Sequence, residues 1–341
     1  MIFSTIFPYN LRKIILACAA LLCLCASASA QAQDDPVEVV STNLVRLNVG
    51  VADHKGQAVT DLTQGDFTVY EDGVKQSIAH FEPVSSPFSL VLLLDMSGST
   101  LNFRATLQQS ALRFIDALGP DDRVEVVSFN DRVETLQHFT ADRKKIAFAI
   151  TEAKGRGNTY LYRALDYSLK ELSKEGKRRK AIVVLTDGLD TDMSNLDRET
   201  ASQAKTNDEA VALVKPEGAG ALRSVLDASD GQGVTIYPLA LPSADPKNLL
   251  PLTPQQSAIY SAARTRMQAL ADRTGGRLHE IHRLEEMGRL YAEVAADMRT
   301  LYSIAYQSSN TRARDGKWRS INIEVSRADT IARSRPGYFA R

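Results

Sequence analysis

The sequence predicts an α/β fold: a doubly wound, mostly parallel sheet inserted between β-rich N- and C-terminal flanks that form a small β-domain. Three observations predict it. From residue 87 to about residue 301, short unalternating apolar runs such as Leu90-Val91-Leu92-Leu93-Leu94 and Val183-Val184-Leu185 alternate with stretches whose apolar residues recur at helical spacing. Strands buried on both faces read this way, because helices cover both sides of a parallel sheet. Outside that interval, apolar and polar residues alternate in short runs, the pattern of half-buried strands. Finally, Asp95 and Asp187 each stand at the end of an apolar run, and open α/β sheets bind ligands beyond the carboxyl ends of their strands.

The 341 residues, 44% hydrophobic and 24% charged, suffice for one sizeable core and a smaller one. Residues 1–32 read as an export signal: Arg12 and Lys13 precede an apolar stretch over residues 14–26, and Ala28-Ser29-Ala30 or Ala30-Gln31-Ala32 offers a small-residue cleavage site. The apolar stretch is short for a bilayer span. A lipoprotein signal at Ile15-Leu16-Ala17-Cys18 and an uncleaved anchor are the alternatives. All three cysteines, Cys18, Cys23 and Cys25, fall inside this segment, so a mature chain has no disulfide framework and no thiol nucleophile. Formal net charge is zero; cleavage removes two bases and no acid, leaving about minus two. Nothing in that balance points to nucleic acid.

Residues 35–86 come next, with runs such as Leu44-Val45-Arg46-Leu47-Asn48-Val49 and turn signals at Lys55-Gly56 and Glu71-Asp72-Gly73. Residues 302–341 repeat the pattern, with a turn at Asp315-Gly316 before Ile321-Asn322-Ile323-Glu324-Val325. Neither flank has enough strands to close a core alone, so the two are expected to pair.

Inside residues 87–301, helices are expected on Phe103, Leu107, Ala111, Phe114, Ile115 and Leu118, and on Leu161, Ala164, Leu165, Ser168 and Leu172. Two long excursions leave the same sheet edge and are expected to rim whatever binds there. Residues 189–232 are partly helical with a break at Pro216-Glu217-Gly218; residues 242–254 carry three leucines among four prolines before Thr253-Pro254-Gln255-Gln256 restarts a helix with a capping box.

The chemistry concentrates in three turns. Asp95-Met96-Ser97-Gly98-Ser99 places a carboxylate and two hydroxyls, all hard oxygen ligands, directly after an apolar strand. Mg2+ takes an octahedral oxygen shell and keeps waters, so one tight turn can hold one side of it and leave the other open. Gly155-Arg156-Gly157-Asn158-Thr159 ends in a hydroxyl, and Thr186-Asp187-Gly188 follows a second apolar strand. In this order the three pieces resemble the metal-ion-dependent adhesion site of the von Willebrand factor A domain, a Rossmann-like fold. Asp66 to Gly73 and the closing Arg335-Pro336-Gly337-Tyr338 resemble the flanks of exported bacterial members of that family. The resemblance implies that Ser97 and Ser99 bind the metal directly, that Asp95 and Asp187 act largely through waters, and that Thr159 does either. It implies Mg2+, with Mn2+ or Ca2+ possible, and a protein partner presenting an Asp or Glu carboxylate.

Enzyme readings lack their parts. A haloacid dehalogenase-like phosphatase needs a second Asp where Ser97 stands, and Met96-Ser97-Gly98-Ser99 is no nucleophile elbow. His279-Glu280-Ile281-His282 is not a zinc-protease motif; its histidines are expected at the surface, as is the basic run Lys177-Arg178-Arg179-Lys180, read as a solvated turn. A non-enzymatic binding module is therefore expected, with a structural envelope subunit as the alternative and a phosphatase-like hydrolase behind it.

Overall fold

The computed structural model describes residues 44–241, 251–310 and 315–340; the export signal, residues 35–43 and most of the proline-rich excursion lie outside them. In the N-terminal flank, β1 (Leu44–Asp53), β2 (Phe67–Glu71), β3 (Val74–Gln76) and β4 (Ile78–Glu82) precede the central sheet. That sheet comprises β5 (Phe88–Asp95), β6 (Arg123–Phe129), β7 (Val133–Thr140), β8 (Arg179–Thr186), β9 (Val234–Ala240) and the short β10 (His279–Glu280). Its order is β10-β9-β8-β5-β6-β7, parallel except for the antiparallel edge strand β7.

Every residue of β5, β8 and β9 is buried, which is why these strands carry no polar alternation. Leu90, Leu92 and Leu94 face α1 (Arg104–Asp116), α2 (Arg143–Glu152) and, later in the chain, α8 (Met287–Met298) through Leu107, Phe114, Ile150 and Tyr291. Val91 and Leu93 face α3 (Leu161–Ser173) and, across a second core, α6 (Gly220–Gln232) and α7 (Pro254–Thr274). The chain leaves β5 toward β6 on one side and enters β8 on the other, so β5 and β8 flank the topological switch point. The excursion after β8 is helical: α4 (Thr191–Thr200) and α5 (Asn207–Leu213) precede α6, and Arg266 of α7 holds Asp197 of α4 with two bonds of 2.6 and 2.7 Å. Thr253 caps α7 in the expected box.

The flanks interleave in two four-stranded sheets completed by β11 (Leu301–Gln307), β12 (Trp318–Val325), β13 (Thr330–Arg333) and β14 (Gly337–Phe339). One has the order β13-β1-β11-β4 and the other β14-β12-β2-β3. Val45, Leu47, Val49, Phe67, Val69, Tyr302, Ile304 and Tyr306 make their shared core. Glu71, 2% exposed, is satisfied by the hydroxyls of Tyr306, Ser308 and Tyr338.

Two readings of the sequence need correction here. Arg179 is buried rather than solvated: it opens β8, and its guanidinium donates to the carbonyls of Val84, Met298 and Leu301, where the chain enters and leaves the α/β region. Burial lowers its pKa to about 10. His279 is 6% exposed, because β10 lies against β9 and turns alternate residues inward; His282 is exposed.

Candidate metal centre

The site begins at the carboxyl end of β5. Asp95 is fully buried; its Oδ1 accepts the Ser97 N–H at 3.0 Å, an Asx turn that folds the chain back over the strand end. The Thr100 hydroxyl donates to the carbonyls of Asp95 and Ser97 at 2.9 and 3.0 Å and holds this turn closed. The Ser97 and Ser99 hydroxyls consequently stand 3.1 Å apart.

The neighbouring strand supplies the other half. Thr186, the last residue of β8, donates its hydroxyl to Asp95 Oδ2 at 2.7 Å and accepts the Gly188 N–H. Asp187 follows directly, nearly fully buried; Oδ1 takes the Leu189 N–H at 3.1 Å. Its Oδ2 is buried with no hydrogen-bond partner.

Thr159 arrives on a loop pinned at several points. The Gly98 N–H donates to the Gly157 carbonyl, which ties this loop to the Asp95 turn. Gly157 has φ +98°, and a Cβ there would lie 1.8 Å from the Asp131 carboxylate that accepts the Asn158 N–H. Only glycine fits this conformation and this space. Thr159 and Thr191 exchange two bonds, Thr191 N–H to the Thr159 carbonyl and Thr159 N–H to the Thr191 hydroxyl. Ser99 and Thr159 open together on a cleft of ≈ 250 Å³ that Asn195 and Arg198 of α4 also line.

All five sequence-selected residues, Asp95, Ser97, Ser99, Thr159 and Asp187, thus come to one end of the β5–β8 pair. Burial first, and then the Asp187 charge, push the Asp95 carboxyl up to about 7; burial likewise raises Asp187. The donor set is all hard oxygen, and it includes a buried carboxylate oxygen with no partner and two hydroxyls 3.1 Å apart; it fits a hard divalent cation. Sequence reasoning gave no role to Thr186, Thr100 or Arg264. Thr186 was visible in the T-D-G piece. Arg264, whose charge lowers the pKa of Asp187, lies 77 positions away on α7 and left no local signal.

Residues 90–189, which span these turns, match the family model of the von Willebrand factor type A domain. Among curated proteins the chain is similar to the human voltage-dependent calcium channel subunit alpha-2/delta-2, 26% identical over 121 residues, covering 32% of this chain and 10% of that subunit. It is also similar to uncharacterized protein sll0103 of Synechocystis, 35% identical over 106 residues, 30% of this chain and 25% of that protein. The match therefore spans a quarter or less of these relatives. Among solved structures, a von Willebrand factor type A protein from Catenulispora acidiphila aligns over 88% of this chain and 74% of its own, at 13% identity and TM-score 0.44.

Proposed function

We propose that the von Willebrand factor type A domain at residues 90–189 works here as a metal-dependent protein-binding module. In this reading Asp95, Ser97, Ser99, Thr159 and Asp187 hold Mg2+, with Mn2+ or Ca2+ as alternatives, and the open side of the site grips an Asp or Glu carboxylate of a partner protein. The observation that carries it is Asp187 Oδ2, a buried carboxylate oxygen without a partner, at the end of the strand that lies beside the one carrying the Asp95, Ser97 and Ser99 turn. A cation held mostly by neutral oxygens keeps much of its charge available to an incoming carboxylate. The chain's own residues set the geometry. Thr186 orients Asp95, the Gly98 to Gly157 bond sets the Thr159 loop against the serine turn, and Asn195 and Arg198 offer donors at the rim.

Export belongs to the same reading: residues 1–32 act as a cleaved signal, and no helix among the described residues is long and apolar enough to cross a membrane. N-terminal sequencing of the secreted chain checks this, and a start at residue 1 would count against it.

Binding is tested by capture from an envelope extract in Mg2+ and in EDTA, followed by measurement of the recovered partner with wild type, Asp95→Ala and Thr159→Ala. The module reading requires EDTA and both substitutions to weaken binding, with excess metal partly rescuing Asp95→Ala. A ligand that binds only the native state at a hundredfold excess over Kd adds about 2.7 kcal/mol, roughly 5–10 °C in midpoint for a domain of this size. Superimposable melts in Mg2+ and EDTA would remove the metal site. A Mg2+-dependent melt with metal-independent binding would make the cation structural.

A further inference from the structure

We propose that Glu125 of β6, His138 of β7 and Glu171 of α3 form a second cation site, remote from the strand-end turns and suited to Zn2+. One ligand atom from each of the three lies within 4.8 Å of the others.

The backbone builds this cluster through an irregularity in the edge strand. Val124 pairs with Thr140 and Val126 with Gln137, so one residue of β6, Glu125, stands opposite two of β7, His138 and Phe139. A further slip follows, since Val127 pairs with Thr135. In a regular strand Thr135 and His138, three apart, would point to opposite faces. The bulges turn both onto the face of Glu125: the Thr135 hydroxyl donates to Glu125 Oε1 at 3.0 Å, and His138 Nδ1 lies 3.4 Å from the same oxygen.

Glu125 is the second observation. Its side chain is 0% exposed, and its other oxygen, Oε2, is buried with no hydrogen-bond partner. A wholly buried carboxylate with an orphaned oxygen, facing a second carboxylate and an imidazole, is short of positive charge. Lys174 Nζ lies 2.6 Å from Glu171 Oε1, but that lysine is 66% exposed and occupies one oxygen of the outer carboxylate. Arg123, two residues before Glu125, is taken by Glu175.

The donor set discriminates among metals. One imidazole nitrogen and two carboxylates suit Zn2+, which binds three protein ligands and leaves a fourth position for solvent, whereas Mg2+ prefers oxygen alone. His138, 80% exposed, provides the entry path. Outer bonds are in place too: Tyr167 Oη lies 2.8 Å from the Thr135 hydroxyl, which holds Glu125. Bound there, Zn2+ clamps the edge strand to the last turn of the helix that starts two residues after Thr159.

Zn2+ is titrated calorimetrically into the full chain carrying Cys18→Ser, Cys23→Ser and Cys25→Ser, in saturating Mg2+, and thermal midpoints are read in parallel. The proposal requires one Zn2+ per chain, a midpoint raised by Zn2+, and the same behaviour with Asp95→Ala. His138→Ala, at an exposed position where folding is not at stake, must weaken binding at least about tenfold, and His54→Ala must not. Glu125→Gln, if folded, must match His138→Ala. Absence of Zn2+ binding, or binding that His138→Ala leaves unchanged, overturns the proposal.

Discussion

At the scale of single residues, Thr186 shows how the proposed centre depends on a side chain that never needs to touch a ligand. Its hydroxyl is the side-chain donor to Asp95 Oδ2 in a fully buried setting, so Thr186→Val leaves that oxygen orphaned at a cost of about 1–3 kcal/mol. Loss of such an orienting bond also lowers metal affinity, by about 10–100-fold. Denaturant unfolding in EDTA reads the first effect and Mg2+ titration the second; unchanged Mg2+ affinity would show that Thr186 serves the fold alone. His279 provides a pH test away from this centre. Burial, the largest cause, lowers its pKa below the ordinary 6.5, so the unfolded chain binds more protons below that pH. Its contribution to stability is present above 6.5 and lost as pH falls through the depressed folded value. Midpoints measured from pH 7.5 downward should fall less steeply in His279→Leu than in wild type. The five proposed ligands were legible as residues because turn chemistry and strand ends are local patterns. Their partners were less so, because Thr186 meets Asp95 across 91 positions and sequence periodicity carries no such information.

At the scale of elements, the excursion after β8 is fastened to α7 by a small apolar cluster, Ala201, Ala204, Ala210 and Val214 against Ala258 and Ala262, and by a buried ion pair. Arg266 and Asp197 are 3% and 2% exposed and form a bidentate pair between α7 and α4. Removing one partner strands a buried charge, at about 3–5 kcal/mol, whereas replacing both with apolar residues of similar volume is far milder. Arg266→Met should therefore destabilise more than the Arg266→Met, Asp197→Leu double variant. Hydrogen exchange should show lost protection concentrated in residues 191–213, and uniform loss would mean that the pair holds the whole sheet instead. The helical character of this segment was readable in its Ala- and acid-rich composition. Its docking was not, since a buried Arg and an exposed Arg look alike in sequence. The same ambiguity hid Arg179, placed by its charged neighbours in a solvated turn, and the bulges of β7, which break alternation without any glycine or proline to announce them.

At the scale of the whole molecule, residues before Pro87 and after Met298 build their sheets together, and each supplies strands that the other lacks. Alternating patterns on both sides made the strands legible. The partition into two interleaved sheets was not, because register across more than 200 positions is set by Tyr302, Tyr306 and Glu71 packing at long range. Removal of residues 302–341 takes β11 and β13 from the two sides of β1, and both edges of β1 are then left unpaired. Exchange protection in β1 should collapse while that of β5 and β8 largely survives; full protection in β1 would show that the N-terminal strands stand alone. The pairing of Glu82 with Ser303 in adjacent antiparallel strands has a further consequence. Entry to the α/β unit and exit from it are set about one strand spacing apart, roughly 4.8 Å, a gap that a two-residue turn can close. The unit is therefore spliced into what would otherwise be an ordinary hairpin, so that its insertion re-routes no strand of the socket, while Arg335–Asp230 and Asn48–Thr235 bond the two parts side by side.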